Sequence, residues 1–566
     1  MIFILSKRLW RIFAASVFLF LGDALPLAAA VRASSHGGVV VSGSSESTAA
    51  GLAILKQGGS AADAAVTVSL VLGMTEPFNS GLGGKFVALY YDSKTGAVSF
   101  LDAMGAAPSQ VPIHKLAKMS PTSRERGYIS ACIPGCAAGL GLLHERWGSL
   151  SWRDCVEPAR KIAASGYEVP AKQLEVFADR QAVYQKDLVA SQLFLRDGKV
   201  PAPGTLLTNP DLAKTLGILA TEGAQAFYHG EIARKLVEAS KVNGGCFSME
   251  DFTDYKAKVS APLFGDYKGN RIYTSPSPLT GGGTLLLALK VLESHDWNGI
   301  GPLDFRRIDL TSKVIQQIYP EVSASFGDAP GNDARMAKLF TEENYGQLLT
   351  RALASDPANP VRAENAAISD GSLDGNTTHF IVVDRAGNIA CVTQSLSHHF
   401  GAGVVAPGTG VLLNNDLGNF GFHTPGGINQ IGPGRRPRST ITPVIVTRDG
   451  KPLLALGSPA SQRIPTGVFQ VLTSVIDFSS TLVEAVDEPR FHIRRPDTSK
   501  SPVNELDLET GITNGMSGRL TAGGWKTELG THDTYYFAAV NAVRFGPDGS
   551  HEAVGDQRRT NMAAGE

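Results

Sequence analysis

Small-residue helical stretches alternate along this chain with short runs of alternating apolar and polar residues. Residues 47–56 predict a first helix, ended by Gly58-Gly59. Ser60, with Asp63 three residues on, has the capping-box spacing for a second helix over 61–74. That second helix is apolar almost all round, which predicts burial. A glycine-rich loop over 79–84 follows, then two alternating strands at 86–91 and 97–102 around a Lys-Thr-Gly turn. Helices are expected from 135 to about 240, a strand over 267–278, and a helix entered through Gly281-Gly-Gly283 and running to Leu292. After Thr377 the pattern is mostly β, with candidate strands at 404–406, 410–414, 444–447, 453–456 and 535–545. Residues 360–374, ending in Ser, Asp and Gly, form the best linker candidate. The mixture predicts a layered α+β protein.

One segment stands out within this pattern. Gly375-Asn376-Thr377-Thr378-His379 ends a polar loop and enters a hairpin: strand 380–383, a turn at 384–388, and a return strand at 389–395. A threonine thus sits where a loop meets a sheet. On this segment alone, a β-branched pair opening a strand is sufficient explanation. The chemical alternative is that a cut before Thr377 gives it a free α-amine, which titrates near ~8 and can serve as the base for its hydroxyl.

Length and composition permit a large enzyme. The chain has 566 residues, 43% hydrophobic and 19% charged, so it can bury more than one core usually supports. Its 52 basic and 53 acidic residues leave a net charge of −1, with no basic block to suggest nucleic acid. The N-terminus has the pattern of an export signal: Lys7, Arg8 and Arg11, a short apolar run over 12–21, and Ala28-Ala29-Ala30 for cleavage. The run is short for a membrane span, and no second span of ~20 apolar residues follows. Five cysteines exclude a complete disulfide framework and are expected as buried free thiols.

Several familiar chemistries are missing. No G-x-S-x-G motif stands between strand and helix. His144-Glu145 lacks the second histidine of a zinc-protease helix, and Gly84-Lys85 runs into Phe86 rather than Ser or Thr, which excludes a P-loop. His398-His399 would point to opposite faces of a strand, so a shared metal is not expected.

The motifs that remain resemble one family. Thr377-Thr-His-Phe-Ile-Val-Val-Asp384, Phe400-Gly-Ala-Gly-Val-Val405, Gly410-Val-Leu-Leu-Asn-Asn415, Arg436-Pro-Arg-Ser-Thr-Ile-Thr-Pro443, Gly457-Ser-Pro-Ala-Ser-Gln-Arg463 and Gly555-Asp-Gln-Arg-Arg559 resemble the small subunit of γ-glutamyltranspeptidases. Ala61-Ala-Asp-Ala-Ala65, Gly81-Leu-Gly-Gly84, Ile133-Pro-Gly-Cys-Ala-Ala-Gly139 and Pro278-Leu-Thr-Gly-Gly-Gly283 resemble the large one. The resemblance implies a four-layer αββα N-terminal-nucleophile hydrolase fold and a precursor that cuts itself between Asn376 and Thr377. It divides the chain into a signal peptide (1–30), a large subunit (31–376) and a small subunit (377–566), the two subunits forming one intertwined catalytic domain. It implies no cofactor and no metal.

The same resemblance assigns roles residue by residue. Thr377 is the nucleophile and Ser395 a hydroxyl partner. The backbone N–H groups of Ala460 and Ser461 fall at the oxyanion hole, where the family usually has two glycines. Ser439 and Thr440 keep a hydroxyl pair that binds the substrate α-carboxylate. Ser397, Asp416 and Asn419 stand at the amine-binding positions in place of Asn, Gln and Asp. Met104 stands where the family holds that carboxylate with an arginine, a strong and geometrically specific contact. Its loss predicts poorer handling of γ-glutamyl groups unless Arg438 or Lys85 substitutes. The expectation is an exported, periplasmic or secreted amidohydrolase or acyltransferase cutting γ-glutamyl-type or related acyl amides through an acyl-enzyme. Its partners would be a small amide or peptide and water or an amine acceptor, with no nucleic acid and no stable membrane insertion. A conventional γ-glutamyl transferase and glutathione hydrolase is the alternative; a non-catalytic binding protein on the same fold is the alternative of another class.

Overall fold

The computed structural model describes residues 30–358, 377–422, 426–494, 504–530 and 535–566. The export-signal segment up to residue 29, the linker candidate at 360–374 and Asn376 lie outside the described residues.

Two seven-stranded sheets organise the chain, and every pairing within them is antiparallel. The first runs Met562–Gly565, Val39–Ser42, Thr378–Val383, Ile389–Ser395, Lys85–Asp92, Ala97–Ala103, Lys258–Ser260. The second runs Val31–Ser35, His551–Gly555, Asn541–Phe545, Lys451–Gly457, Val444–Arg448, Asn270–Thr274, Leu263–Tyr267. Strands from before and after residue 376 therefore interleave in both sheets.

Apolar burial on both faces explains why these strands depart from simple alternation. Val39, Val41, Val87, Leu89, Ile381 and Cys391 of the first sheet share one buried cluster with Ile445, Ala455, Val543 and Ala553 of the second. The opposite face of the first sheet joins the helix Ala61–Thr75 and the helices of 136–242 in another core. The outer face of the second sheet packs on Thr280–Leu292, Phe305–Ser325 and Ile464–Asp477. The mixed α+β class expected from the sequence is thus present.

Local signals account for most element ends. Ser60 and Asp63 form the capping box, and nearly all of Ala61–Thr75 is buried. The hairpin pairs Thr378 with Gln394 and Val383 with Ile389, and Asp384 N–H closes its turn on the Asn388 carbonyl at 3.1 Å. Other expectations fail. The strand expected at 267–278 is a hairpin, Leu263–Tyr267 with Asn270–Thr274, because Lys268-Gly269 turn with positive φ. Residues 404–406 and 410–414 make a single bridge, Val405 to Leu412, rather than strands. Of 535–545 only Asn541–Phe545 is strand. Among the described residues after Thr377 there are also three α-helices, Ile464–Asp477, Leu482–Asp487 and Asn514–Ala522. All five cysteines are free, four buried and Cys246 half-buried.

Candidate active site

A cleft opens where the strand Thr378–Val383 begins, lined by Thr377, Ser395, Lys85 and residues of four further segments. The lining also includes Ser397, His398, Asn419, Arg438, Ser439, Thr440, Ser461 and Gln462. Backbone register builds its floor. Ser395 ends the return strand of the hairpin and pairs across the ladder with Lys85, the first residue of the next strand. The glycine loop before Lys85 fits only without side chains: a Cβ on Gly84 would lie 2.4 Å from the Ser395 carbonyl oxygen.

Thr377 is 4% exposed, and its Oγ1 lies 3.2 Å from Ser395 Oγ. Ser395 Oγ in turn accepts from Ser397 N–H at 2.9 Å, which fixes its orientation. Arg559 Nη1 donates to the Thr377 carbonyl at 3.0 Å. One residue on, the Thr378 hydroxyl donates to the buried carboxylate of Glu76. Burial pushes the Glu76 carboxyl above the usual carboxylate range, against the pull of that hydroxyl and of Arg559. Thr377 is thus held by its strand, by a serine and by a guanidinium.

The turn opposite carries unusual backbone. Ala460 has φ 106° and Ser461 φ 50°, both left-handed although neither is glycine. Such conformations cost roughly 1–3 kcal/mol each and persist where the surroundings impose them. Here the Ser461 carbonyl accepts from Thr440 Oγ1 at 2.8 Å, and the Ala460 carbonyl from Arg463 N–H at 3.0 Å. Among the described residues, neither the Ala460 nor the Ser461 N–H is paired with an acceptor.

The structure brings together Thr377, Ser395, Ser397, Asn419, Ser439, Thr440 and Ser461. Asn419 Nδ2 reaches Ser397 Oγ at 2.7 Å and Asp416 Oδ1 at 3.3 Å. Asp416 lies behind the lining, 0% exposed, in an ion pair with Lys85 Nζ. Met104 is not brought to the cleft. It is 0% exposed in the cluster between the sheets, where the apolar side chains of Leu279, Ile441 and Phe100 surround the same core. Nor does Arg438 offer a simple clamp, since its guanidinium donates to the carbonyls of Phe326 and Ser323.

His398 lines the cleft, with Nδ1 3.3 Å from Glu125 Oε2, a placement the sequence pattern of an adjacent histidine pair did not reveal. Its neighbour His399 is buried edge-on to Phe78 and Tyr535, and burial with nearby arginines pushes its pKa well down. Away from the cleft, ligand atoms of Asp63, His144 and Cys155 lie within 4.8 Å of one another. Structural bonds occupy them: Asp63 Oδ2 accepts from Ser60 N–H at 2.8 Å and Ser149 N–H at 2.9 Å, and His144 Nε2 meets the Leu150 carbonyl at 3.0 Å.

Comparison with known proteins fits this geometry. The γ-glutamyltranspeptidase family model matches residues 47–566. The glutathione hydrolase proenzyme of Pseudomonas aeruginosa is 33% identical, over 84% of this chain and 86% of that protein. The acylase ACY 1 proenzyme of Pseudomonas sp. SE83 is 29% identical, over 92% of this chain and 91% of that one. The crystal structure of cephalosporin acylase from Bacillus halodurans superposes with a TM-score of 0.84 at 23% identity, covering 95% of this chain and 97% of that one, a likeness of fold. With Thr377 at the mouth of its sheet, and a match that spans all but its first residues, this chain belongs to the γ-glutamyltranspeptidase family of enzymes.

Proposed function

We propose that the chain is an exported precursor that cuts itself between Asn376 and Thr377. The mature enzyme then cleaves acyl amides, of γ-glutamyl type or a related kind, through an acyl-enzyme on Thr377. The observation that carries this reading is the Thr377 Oγ1 to Ser395 Oγ approach of 3.2 Å at the head of a buried strand, inside the cleft. The two sheets with helices outside each support an αββα N-terminal-nucleophile hydrolase fold as part of this reading. The pieces would be a signal peptide (1–30), a large subunit (31–376) and a small subunit (377–566).

In this mechanism the freed α-amine of Thr377 takes the proton from its own hydroxyl as Oγ1 attacks the amide carbonyl carbon. The carbonyl π-bond pair moves onto oxygen, which the N–H groups of Ala460 and Ser461 meet. Collapse expels the amine, which receives the proton from the α-ammonium, and leaves an ester on Thr377. Water or an acceptor amine attacks that ester by the same steps and releases the acyl group. Ser395 holds Oγ1 in line, and Arg559 holds the Thr377 backbone.

The test is direct. Purified protein should run as two chains, the smaller with Thr at its N-terminus, and should hydrolyse an acyl p-nitroanilide. A fully active chain that remains whole would sink the mechanism.

A further inference from the structure

The charges around the cleft bear on which acyl group enters it. Resting on the amidohydrolase reading, we propose that Lys85 fills the place beside Asp416 with its own ammonium. The cleft then rejects acyl groups that carry an ammonium and takes short acyl groups ending in a carboxylate or another acceptor oxygen.

The lining holds three ionisable side chains, Lys85, His398 and Arg438, and among the described residues no carboxylate. The nearby acids, Asp416 and Glu125, are not part of the lining and face this chain's own groups. Asp416 pairs with Lys85 through Oδ1, which also takes Asn419 Nδ2 at 3.3 Å. Its Oδ2 takes no hydrogen bond among the described residues and lies on the side of Gly105, which is not part of the lining; a Cβ there would come within 3.0 Å. Glu125 faces His398. A substrate ammonium would therefore meet Lys85 with no carboxylate in the lining to receive it.

Lys85 itself is unfinished. Its side chain is 2% exposed, and Asp416 is the one described acceptor its ammonium has. An ammonium carries three donors, and leaving buried donors unmade is costly. A ligand oxygen would complete the set, in a cleft also lined by the hydroxyl side chains Ser397, Ser439 and Thr440. Lys85 and Ser395 are cross-strand partners with backbones ~4.8 Å apart, and both line the cleft with Thr377, which Ser395 touches. An acyl carbonyl at Thr377 and an oxygen at Lys85 fit one chain of a few carbons.

The experiment compares two ligands that differ by one ammonium. Glutarate and L-glutamate are titrated calorimetrically into wild type, Lys85→Arg, and the double variant Lys85→Met/Asp416→Asn, which removes both charges together. Glutaryl- and γ-glutamyl-p-nitroanilide are assayed alongside. Wild type should bind glutarate at least about tenfold tighter than L-glutamate, with the same preference in kcat/KM. Lys85→Arg should keep the preference, and the double variant should lose it. Equal binding, binding of neither, or a double variant that still prefers glutarate overturns the proposal. A protein that binds glutarate selectively but cleaves neither anilide upholds Lys85 and overturns the proposed function instead.

Discussion

Arg559 Nη1 lies 3.0 Å from the carbonyl oxygen of Thr377 and donates to it from a fully buried guanidinium. The guanidinium also lies over the Tyr535 ring, 4.9 Å from its centroid. A charged donor on this carbonyl fixes where the strand begins, and so where Oγ1 points. Hydrogen bonds to charged groups contribute roughly 1.5–3 kcal/mol. Arg559→Lys should keep the charge and lose the fork geometry. We expect kcat to fall by ~10-fold or more with KM little changed, measured by steady-state kinetics on an anilide. Unchanged kcat would remove Arg559 from the positioning of Thr377.

Thr377 itself admits a cleaner experiment. Thr377→Ala should fold, remain one chain on a denaturing gel and show no turnover. Thr377→Ser keeps both hydroxyl and amine and should retain part of the activity. Adding one residue to the N-terminus of the small chain should abolish turnover while leaving the melting temperature in place. Normal turnover by that extended form would assign the proton to another base.

Met104 was read from the sequence as a specificity position, and its burial changes the expectation. An arginine there would put a guanidinium into the apolar layer between the sheets. Unpaired buried charge costs several kcal/mol. Met104→Arg should therefore lower the melting temperature markedly or prevent soluble expression, as thermal denaturation would report. A stable Met104→Arg protein with improved γ-glutamyl turnover would mean that this side chain can reach the cleft.

Ala460 pays for its φ of 106° with a Cβ. Ala460→Gly should relieve that strain and stabilise the folded chain by roughly 1 kcal/mol, offset in part by the freer unfolded glycine. Urea unfolding of the two proteins provides the comparison. A loss of stability on going to glycine would mean the methyl group packs productively.

His379 lies in the core, with Nδ1 2.8 Å from Thr393 Oγ1, and burial pushes its pKa down to about 3. The unfolded chain protonates this ring near ~6.5, so below that pH the unfolded state holds the extra proton. Stability from this group is fully present above ~6.5 and is lost as pH falls towards about 3. Urea midpoints measured from pH 7 to pH 4 should fall with acidification. His379→Gln should shallow that slope, and an identical slope would exonerate the ring.

The legible parts of this chain were those with local causes. The Ser60–Asp63 box and the hairpin around Asp384–Asn388 are set by neighbours in sequence. The Thr377–Ser395 contact is what the family resemblance implies, and the hairpin carries it: Thr377 precedes the strand whose first residue, Thr378, pairs with Gln394. The Lys85–Asp416 pair did not follow, since its partners are 331 residues apart and only the assembled ladder brings them together. The helix Ile464–Asp477 was missed because its run of buried residues over 464–474 hides a helical period. Met104 failed for a different reason: alignment of motifs fixes a position along the chain, whereas side-chain direction depends on the strand end beside it.

The interleaving of strands has a consequence for the protein if it is cut before Thr377, as proposed. In the first sheet, Thr378–Val383 and Ile389–Ser395 are wedged between Val39–Ser42 on one side and Lys85–Asp92 on the other. A break before Thr377 would sever the covalent link but no ladder, so the halves would stay dovetailed and neither would own either of the two large sheets. Once heated apart, however, they are two molecules that must find each other again. Folding is a first-order event in the life of the precursor, and after scission it becomes a bimolecular one at cellular dilution. The mature form is then held by how slowly it opens, and the information for reassembly resides in the uncut chain.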